Sequence, residues 1–295
     1  MSRVGSCLWF NDDAEEAVLF YLDVFGDGKV VEKQPYVVKT PSELPVGSTM
    51  TADFELLGHS FVALNGGPHF TPNPSISFMV HRSSKQEISR LWERLADGGK
   101  VLMPLGEYPF SKWYGWVQDK YGFSWQLILP LVPEGEGNPR PPIVVSHLFS
   151  GDVCGKAQEA MQFYTSVFGD AKIGDVHRYG PGQEPNSPDS LMLGDFKLLG
   201  QWFACMDSAL QHDFSFNEAV SHIVLCTDQE EINYYYDKLS AVPEAEMCGW
   251  LKDQYGVSWQ LTTKEVNELV SDTQAMSALM DMKRLDLKAL RQAKQ

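Results

Sequence analysis

The sequence predicts an α+β protein built from two tandem copies of one domain, and three observations predict it. Residues 20–30 (FYLDVFGDGKV) and 163–173 (FYTSVFGDAKI) agree at seven of eleven positions across a displacement of 143. Residues 115–127 (GWVQDKYGFSWQL) and 249–261 (GWLKDQYGVSWQL) agree at nine of thirteen across a displacement of 134. Helix-like segments around Glu87–Ile88 and Glu231–Ile232 fall between these blocks in both copies, 144 apart. The same order at nearly the same spacing divides the chain into a first domain (1–130), a linker (131–142), a second domain (143–263) and a C-terminal helical extension (264–295).

Within each copy the periodicity reads as a pair of strand–helix–three-strand modules. Cys7–Phe10 and Val144–Phe149 are short apolar runs that suit buried strands. Glu15–Phe25 carries Ala17, Val18, Tyr21, Leu22 and Phe25 at helical spacing, with Asp12 or Asp13 to cap it and Gly26 to end it. Gln158–Phe168 repeats that helix. Lys29–Tyr36, Thr49–Leu57 and Ser60–Asn65 follow as strands, with Gly58–His59 as a tight turn. Ser75–His81 opens the second module, Glu87–Leu95 is its helix, and Tyr114–Val117 and Phe123–Leu129 close it.

Leu95 lies 20 residues before Gly115, but Leu239 lies only 10 before Gly249. The second copy is therefore expected to lose a hairpin arm that the first keeps around Val101–Glu107. Pro130–Pro142, rich in Pro and Gly, reads as an exposed, semi-rigid linker. Beyond Lys264, Val266, Leu269, Met276, Leu279, Leu287 and Leu290 fall near helical spacing, with Ser271–Asp272 and Asp286 as restarts. Two short amphipathic helices are expected there, packed either across their own sheet or on a second subunit.

Composition narrows the function. Lys and Arg total 24 against 39 Asp and Glu, a net charge of −15. Such a surface repels phosphate backbones and anionic lipids, so neither nucleic acid nor a membrane surface is an expected partner. No run of about 18 apolar residues exists, and the N-terminus turns acidic too early for a secretory signal. Five scattered cysteines without a C-x-x-C pair read as reduced thiols of a cytoplasmic protein.

Four segments carry a resemblance: CLWFND-x-AEEA (7–17), ALNGGPHF (63–70), DFSFNEAVS (213–221) and CGWLKDQYGVSWQ (248–260). They resemble the PhnB-like branch of the vicinal oxygen chelate superfamily (glyoxalases, bleomycin resistance proteins and dioxygenases), often labelled 3-demethylubiquinone 3-methyltransferase-like. The resemblance covers almost all of both copies. It implies two tandem vicinal-oxygen-chelate domains, each a pair of βαβββ modules forming an incomplete barrel with a ligand on its concave side. It does not choose a chemistry, because the superfamily hosts several.

Metal-using members of that superfamily present inward His, Gln or Glu ligands from four strands. A divalent metal is therefore the one cofactor the resemblance raises, and none is assigned. On the last strand the pattern D-x-x-G-x-x-x-E becomes Asp119…Gly122…Gln126 and Asp253…Gly256…Gln260, offering neutral amides where carboxylates would stand. The central histidine of the pattern falls at Ser77 and Ser221, and His222 reads as a buried structural residue. The first copy thus lacks a metal set, and the second has at best His147 with Gln260.

Other polar positions recur. Asn65 and Asp207 end equivalent strands, and His69 and His212 follow in the aligned loops. They read either as hydrogen-bonding groups at the mouth of each cup or as loop caps. Trp125 and Trp259 alternate with Gln126 and Gln260, so indoles face the helices if amides face the cup. Trp116 and Trp250, like Trp113 and Trp202, are candidates for cup walls or for the seam between modules. The pocket candidates are Asn65, His69, Trp116, Gln126, Asp207, His212, Trp250 and Gln260. The G-x-G beside a helix, Gly26–Asp27–Gly28, follows that helix and reads as a turn, so transfer of a methyl group from S-adenosylmethionine is not expected. Three functions remain open: a module that binds a small organic ligand, a metal-assisted lyase, isomerase or dioxygenase using the second domain, and a homodimeric interaction protein.

Overall fold

The computed structural model describes residues 3–40, 42–130 and 140–294. Most of the expected linker lies outside them. The first half runs β1 (Val4–Phe10), α1 (Ala14–Phe25), β2 (Gly28–Pro35), β3 (Thr49–Leu56), β4 (His59–Asn65), then β5 (Ile76–His81), α2 (Lys85–Ala96), β6 (Lys100–Tyr108), β7 (Ser111–Gln118) and β8 (Ser124–Leu129). The second half repeats this as β9 (Ile143–Phe149), α3 (Ala157–Val167), β10 (Lys172–Arg178), β11 (Leu191–Leu198), β12 (Gln201–Asp207), β13 (Val220–Leu225), α4 (Gln229–Leu239), β14 (Trp250–Lys252) and β15 (Ser258–Thr262). No strand precedes β14 where β6 precedes β7, so the hairpin arm is lost as expected.

The strands form two open sheets, and neither belongs to one half. Sheet A runs β14-β15-β13-β1-β4-β3-β2, and sheet B runs β10-β11-β12-β9-β5-β8-β7-β6. The first module thus shares a sheet with the fourth, and the second with the third. The seams are the antiparallel pairs β1–β13 and β5–β9. Two incomplete barrels are present, but each draws one module from each half. Local periodicity cannot choose between these pairings, because both bury the same faces of the same strands.

The core lies between the two sheets, with the helices packed against it. Trp125 and Trp259 are fully buried there, at 0% and 1% exposure, as their alternation with the glutamines predicts. α1 ends at Gly26, whose φ of 70° suits glycine, so the G-x-G is a helix stop. The helix is not capped by the side chain of Asp12 or Asp13. The Asn65 amide oxygen accepts from Ala14 N at 2.9 Å instead. The β3–β4 turn sits at Leu57–Gly58, both with positive φ, one residue earlier than expected.

Past β15 the extension forms three short helices rather than two: α5 (Lys264–Leu269), α6 (Thr273–Met280) and α7 (Leu287–Ala293). Asp272 and Asp286 cap the last two by accepting from backbone N–H groups, so each restart begins its own helix. Val266, Met276, Leu285 and Leu290 are buried in the chain's own core. The extension therefore packs across sheet A. No helix among the described residues is long and apolar enough to cross a membrane.

Candidate functional site

Sheet A and the C-terminal extension line a half-open cavity of about 840 Å³, hereafter cup A. Strand alternation supplies much of its lining, with the core residues Phe54, Phe61 and Leu261 reaching it as well. On β3, Ala52 and Leu56 are buried in the core while Thr51, Asp53 and Glu55 reach the cavity. On β1, Leu8 and Phe10 are core, and Cys7 and Trp9 line the cavity. Val266, Met276, Leu279 and Leu285 supply the opposite wall. The volume suits a drug-sized molecule.

Register places Asp53, Val62, Cys7 and Ser221 side by side across four strands. Gln260 donates through Nε2 to the Ser221 hydroxyl at 2.8 Å, and both lie against the Cys7 thiol. Sheet B repeats the row as Asp195, Ala204, Ser146 and Ser77, with Gln126 donating to Ser77 at 2.6 Å. In sheet B the Gln126 oxygen is already taken by the Tyr114 hydroxyl at 2.8 Å. Cys248 holds the matching place before Trp250, and its thiol turns to Leu279 O at 3.4 Å.

The central groups of this row are uncharged. Burial pushes the Cys7 thiol up to about 12, so it is a neutral thiol beside an amide and a hydroxyl. A hard divalent cation prefers anionic oxygen, and a softer one needs thiolate or imidazole, so Cys7, Ser221 and Gln260 do not fit a resident metal. Among the described residues no group of three or more His, Cys, Asp or Glu is arranged to hold one.

Trp9, Trp250 and Phe70 meet edge to face on one side of the cavity, with Trp9–Phe70 centroids 4.9 Å and Trp9–Trp250 centroids 5.9 Å apart. Gly66 makes room for this wall. A Cβ there would fall 2.2 Å from the Trp9 indole, whose Nε1 donates to Gly67 O at 2.7 Å.

Comparison with known proteins agrees with this architecture. A family model described as 3-demethylubiquinone-9 3-methyltransferase matches residues 2–128 and again 143–262. The chain belongs to that family. A putative 3-demethylubiquinone-9 3-methyltransferase, PhnB protein, from Bacillus cereus is 38% identical over 42% of this chain and 97% of its own, with a TM-score of 0.39. Protein PA1353 from Pseudomonas aeruginosa is 26% identical over 42% of this chain and 94% of its own, with a TM-score of 0.36. Glyoxalase I from Zea mays covers 91% of this chain and 95% of its own at 12% identity and a TM-score of 0.53, a likeness of fold across the whole tandem. No curated protein matches the sequence.

Of the residues that sequence reasoning singles out in this family member, His69, Trp250 and Gln260 line the cavity. Gln126 and Trp116 lie opposite each other on β8 and β7 of sheet B, Trp116 donating to Ser124 Oγ at 2.7 Å. Asn65 and Asp207 do not reach a cup. Asn65 caps α1, and Asp207 accepts from Gly155 N and Ala157 N at the start of α3 and from Leu191 N at the start of β11, so both are buried caps. His212 bonds Ser208 Oγ at 2.8 Å in a loop. Asn73 and Asn217 donate to Ser215 O and Thr71 O in turn, a reciprocal clasp between the copies.

His147 and Gln260 do not share a site. His147 follows Ser146, the residue of the lining row, and alternation turns it to the opposite face of its sheet. There its Nε2 meets His222 Nε2 at 2.7 Å, while Nδ1 donates to Ala204 O at 3.3 Å. Burial holds His147 down at about 4 and His222 well below the ordinary value, so the pair is neutral and structural. Tyr164 lies 15 residues after Phe149 but Tyr21 only 11 after Phe10, and this four-residue difference hid the register from the sequence. Asp53 was missed altogether. Its signal is the repeat ADFELL (52–57) against GDFKLL (194–199), which keeps a carboxylate in a strand of both copies.

Proposed function

We propose that the protein binds a small organic molecule in cup A and that this binding needs no resident metal. The observation that carries the reading is the 840 Å³ cavity on the concave face of sheet A, roofed by the chain's own C-terminal helices. Supporting it, the positions where the superfamily pattern would put metal ligands hold a neutral thiol, hydroxyl and amide. A metal-assisted reaction through His147 and Gln260 has no support, because the two side chains face different compartments. A dimer built on the extension has little, because Val266, Met276, Leu285 and Leu290 are used within the chain.

The test uses N-phenyl-1-naphthylamine, an uncharged apolar dye, titrated into the full chain. One dye should bind per chain with micromolar affinity, and Val62→Trp, which fills the cavity floor, should abolish the signal. Elemental analysis of the same preparation should find no stoichiometric divalent metal. Absence of one-to-one dye binding, or binding indifferent to Val62→Trp, would refute cup A as the site.

A further inference from the structure

The two cups differ at one carboxylate. In sheet B, Asp195 is neutralised from within the chain: Arg140 donates through Nε to Asp195 Oδ2 at 2.7 Å. The same guanidinium also pairs with Asp175 at 3.0 Å and lies over Trp202, 4.0 Å from the ring centroid. Asp195 holds the first place of its row, beside Ala204 and Ser146.

Asp53 holds the identical place in cup A, beside Val62 and Cys7, without an Arg140. Among the described residues no Lys or Arg lines the cavity. Its charged neighbours are carboxylates: Glu32 lies opposite on β2, and Glu55, two residues on, is itself paired with Lys29 at 3.0 Å. Burial and the nearby Glu32 push the Asp53 carboxyl up to about 6, so near neutral pH it is a half-buried charge on a largely apolar cavity wall, and no ion pair to it is found among the described residues. The Trp9–Trp250–Phe70 wall lines the same cavity, and aromatic rings of this kind attract cations.

We propose that cup A takes an organic cation, an ammonium or guanidinium head on an apolar body, and that the head pairs with Asp53 as Arg140 pairs with Asp195. The proposal rests on the reading of cup A as an organic-ligand site and specifies the chemistry of its ligand. Asp53 selects by charge, and the aromatic wall with Met50 and Met276 holds the body.

The test is calorimetric titration of the full chain at pH 8 with two probes of one skeleton, 2-(1-naphthyl)ethylammonium and 2-(1-naphthyl)ethanol. The ammonium should bind at least tenfold more tightly than the alcohol. Asp53→Asn, nearly isosteric, should remove that advantage and leave the alcohol unchanged, and Asp195→Asn should change neither. Equal affinities in the native chain, or an ammonium preference that survives Asp53→Asn, overturn the proposal while the dye result still stands for the cavity. A preference lost in Asp195→Asn instead places the cation in sheet B and also overturns it. If neither probe binds and the dye fails too, the reading of cup A falls and takes the proposal with it.

Discussion

The Tyr21 hydroxyl donates to Asp119 Oδ2 at 2.8 Å, although Tyr21 lies on a helix that packs on sheet A and Asp119 follows a strand of sheet B. The second copy makes the same bond in the opposite sense, Tyr164 to Asp253 Oδ2 at 2.7 Å. The two bonds tie the sheets together from both sides. Each aspartate also accepts from a tryptophan Nε1 (Trp125 or Trp259) and from two backbone N–H groups. The repeated D-x-YG-x-SW block is therefore a turn that anchors a buried carboxylate, and its recurrence is structural.

That network gives a graded prediction. Tyr21→Phe removes one donor and should cost about 1 kcal/mol in urea unfolding. Asp119→Ala strands four buried donors and should cost about 3 kcal/mol or more. Asp253→Ala should match it, because the geometry is the same. A cost for Asp119→Ala no larger than that for Tyr21→Phe would show that the carboxylate is not the anchor.

The buried histidines predict a pH dependence. Burial lowers His59, His81 and His147 to about 4 from 6.5, and His222 falls further. Their stabilisation is present above 6.5 and is lost on acidification, because the unfolded chain takes up protons that the folded chain refuses. Asp53, Asp119 and Asp253 oppose this, since their folded values rise to about 6 and the folded chain gains protons in part of the same window. The first copy carries Leu8 and Phe78 where the second has His147 and His222. His147→Leu combined with His222→Phe should therefore lose about 3 kcal/mol less than the native chain between pH 6.5 and 5, one proton for each histidine removed. Each single variant leaves one polar ring unpaired and should be the less stable at pH 8. Parallel pH profiles for the native chain and the double variant would contradict this.

Much of the fold was legible in the sequence because alternation and repeats are local. The Trp125–Gln126 and Trp259–Gln260 alternation correctly divides core from cup, and the missing hairpin arm follows from the spacing of Leu239 and Gly249. The choice of sheet partner was not legible, since joining β1 to β13 or to β5 buries the same side chains. Asn65 was ambiguous for a similar reason: an amide closing a strand can reach a ligand or the next helix, and only the position of Ala14 N decides. Asp53 was hidden because an acidic residue alternating with Ala52 and Phe54 reads as the solvent face of a strand. It becomes informative once the extension is seen to roof that face.

Gly66 offers a test of the aromatic wall. Gly66→Ala puts a methyl group 2.2 Å from the Trp9 indole, so Trp9 must swing away from its bond to Gly67 O. Overpacking of this kind costs about 1–3 kcal/mol. Trp9 emission should shift, and dye affinity should fall. Native emission and native affinity together would mean that Trp9 is not held by this contact.

The extension yields the last prediction. Cys248 N and Gly249 N donate to Met282 O and Lys283 O at 2.7 and 2.8 Å, so the segment after α6 completes the edge of sheet A beside β14. Leu285 fixes the fit: a Cβ on Gly249 would lie 3.0 Å from its side chain, and Leu285 is 2% exposed. Leu285→Ala should cost about 2–5 kcal/mol, as for a buried leucine whose space cannot collapse, and should weaken dye binding by loosening the roof. Deleting 264–295 removes the roof entirely and exposes an apolar sheet face to water, so the shortened chain should melt lower, lose one-to-one dye binding and self-associate. A shortened chain that kept its melting temperature, its mass in solution and its dye would show that the extension is an appendage, because a wall of the cavity cannot be removed without consequence for what the cavity holds.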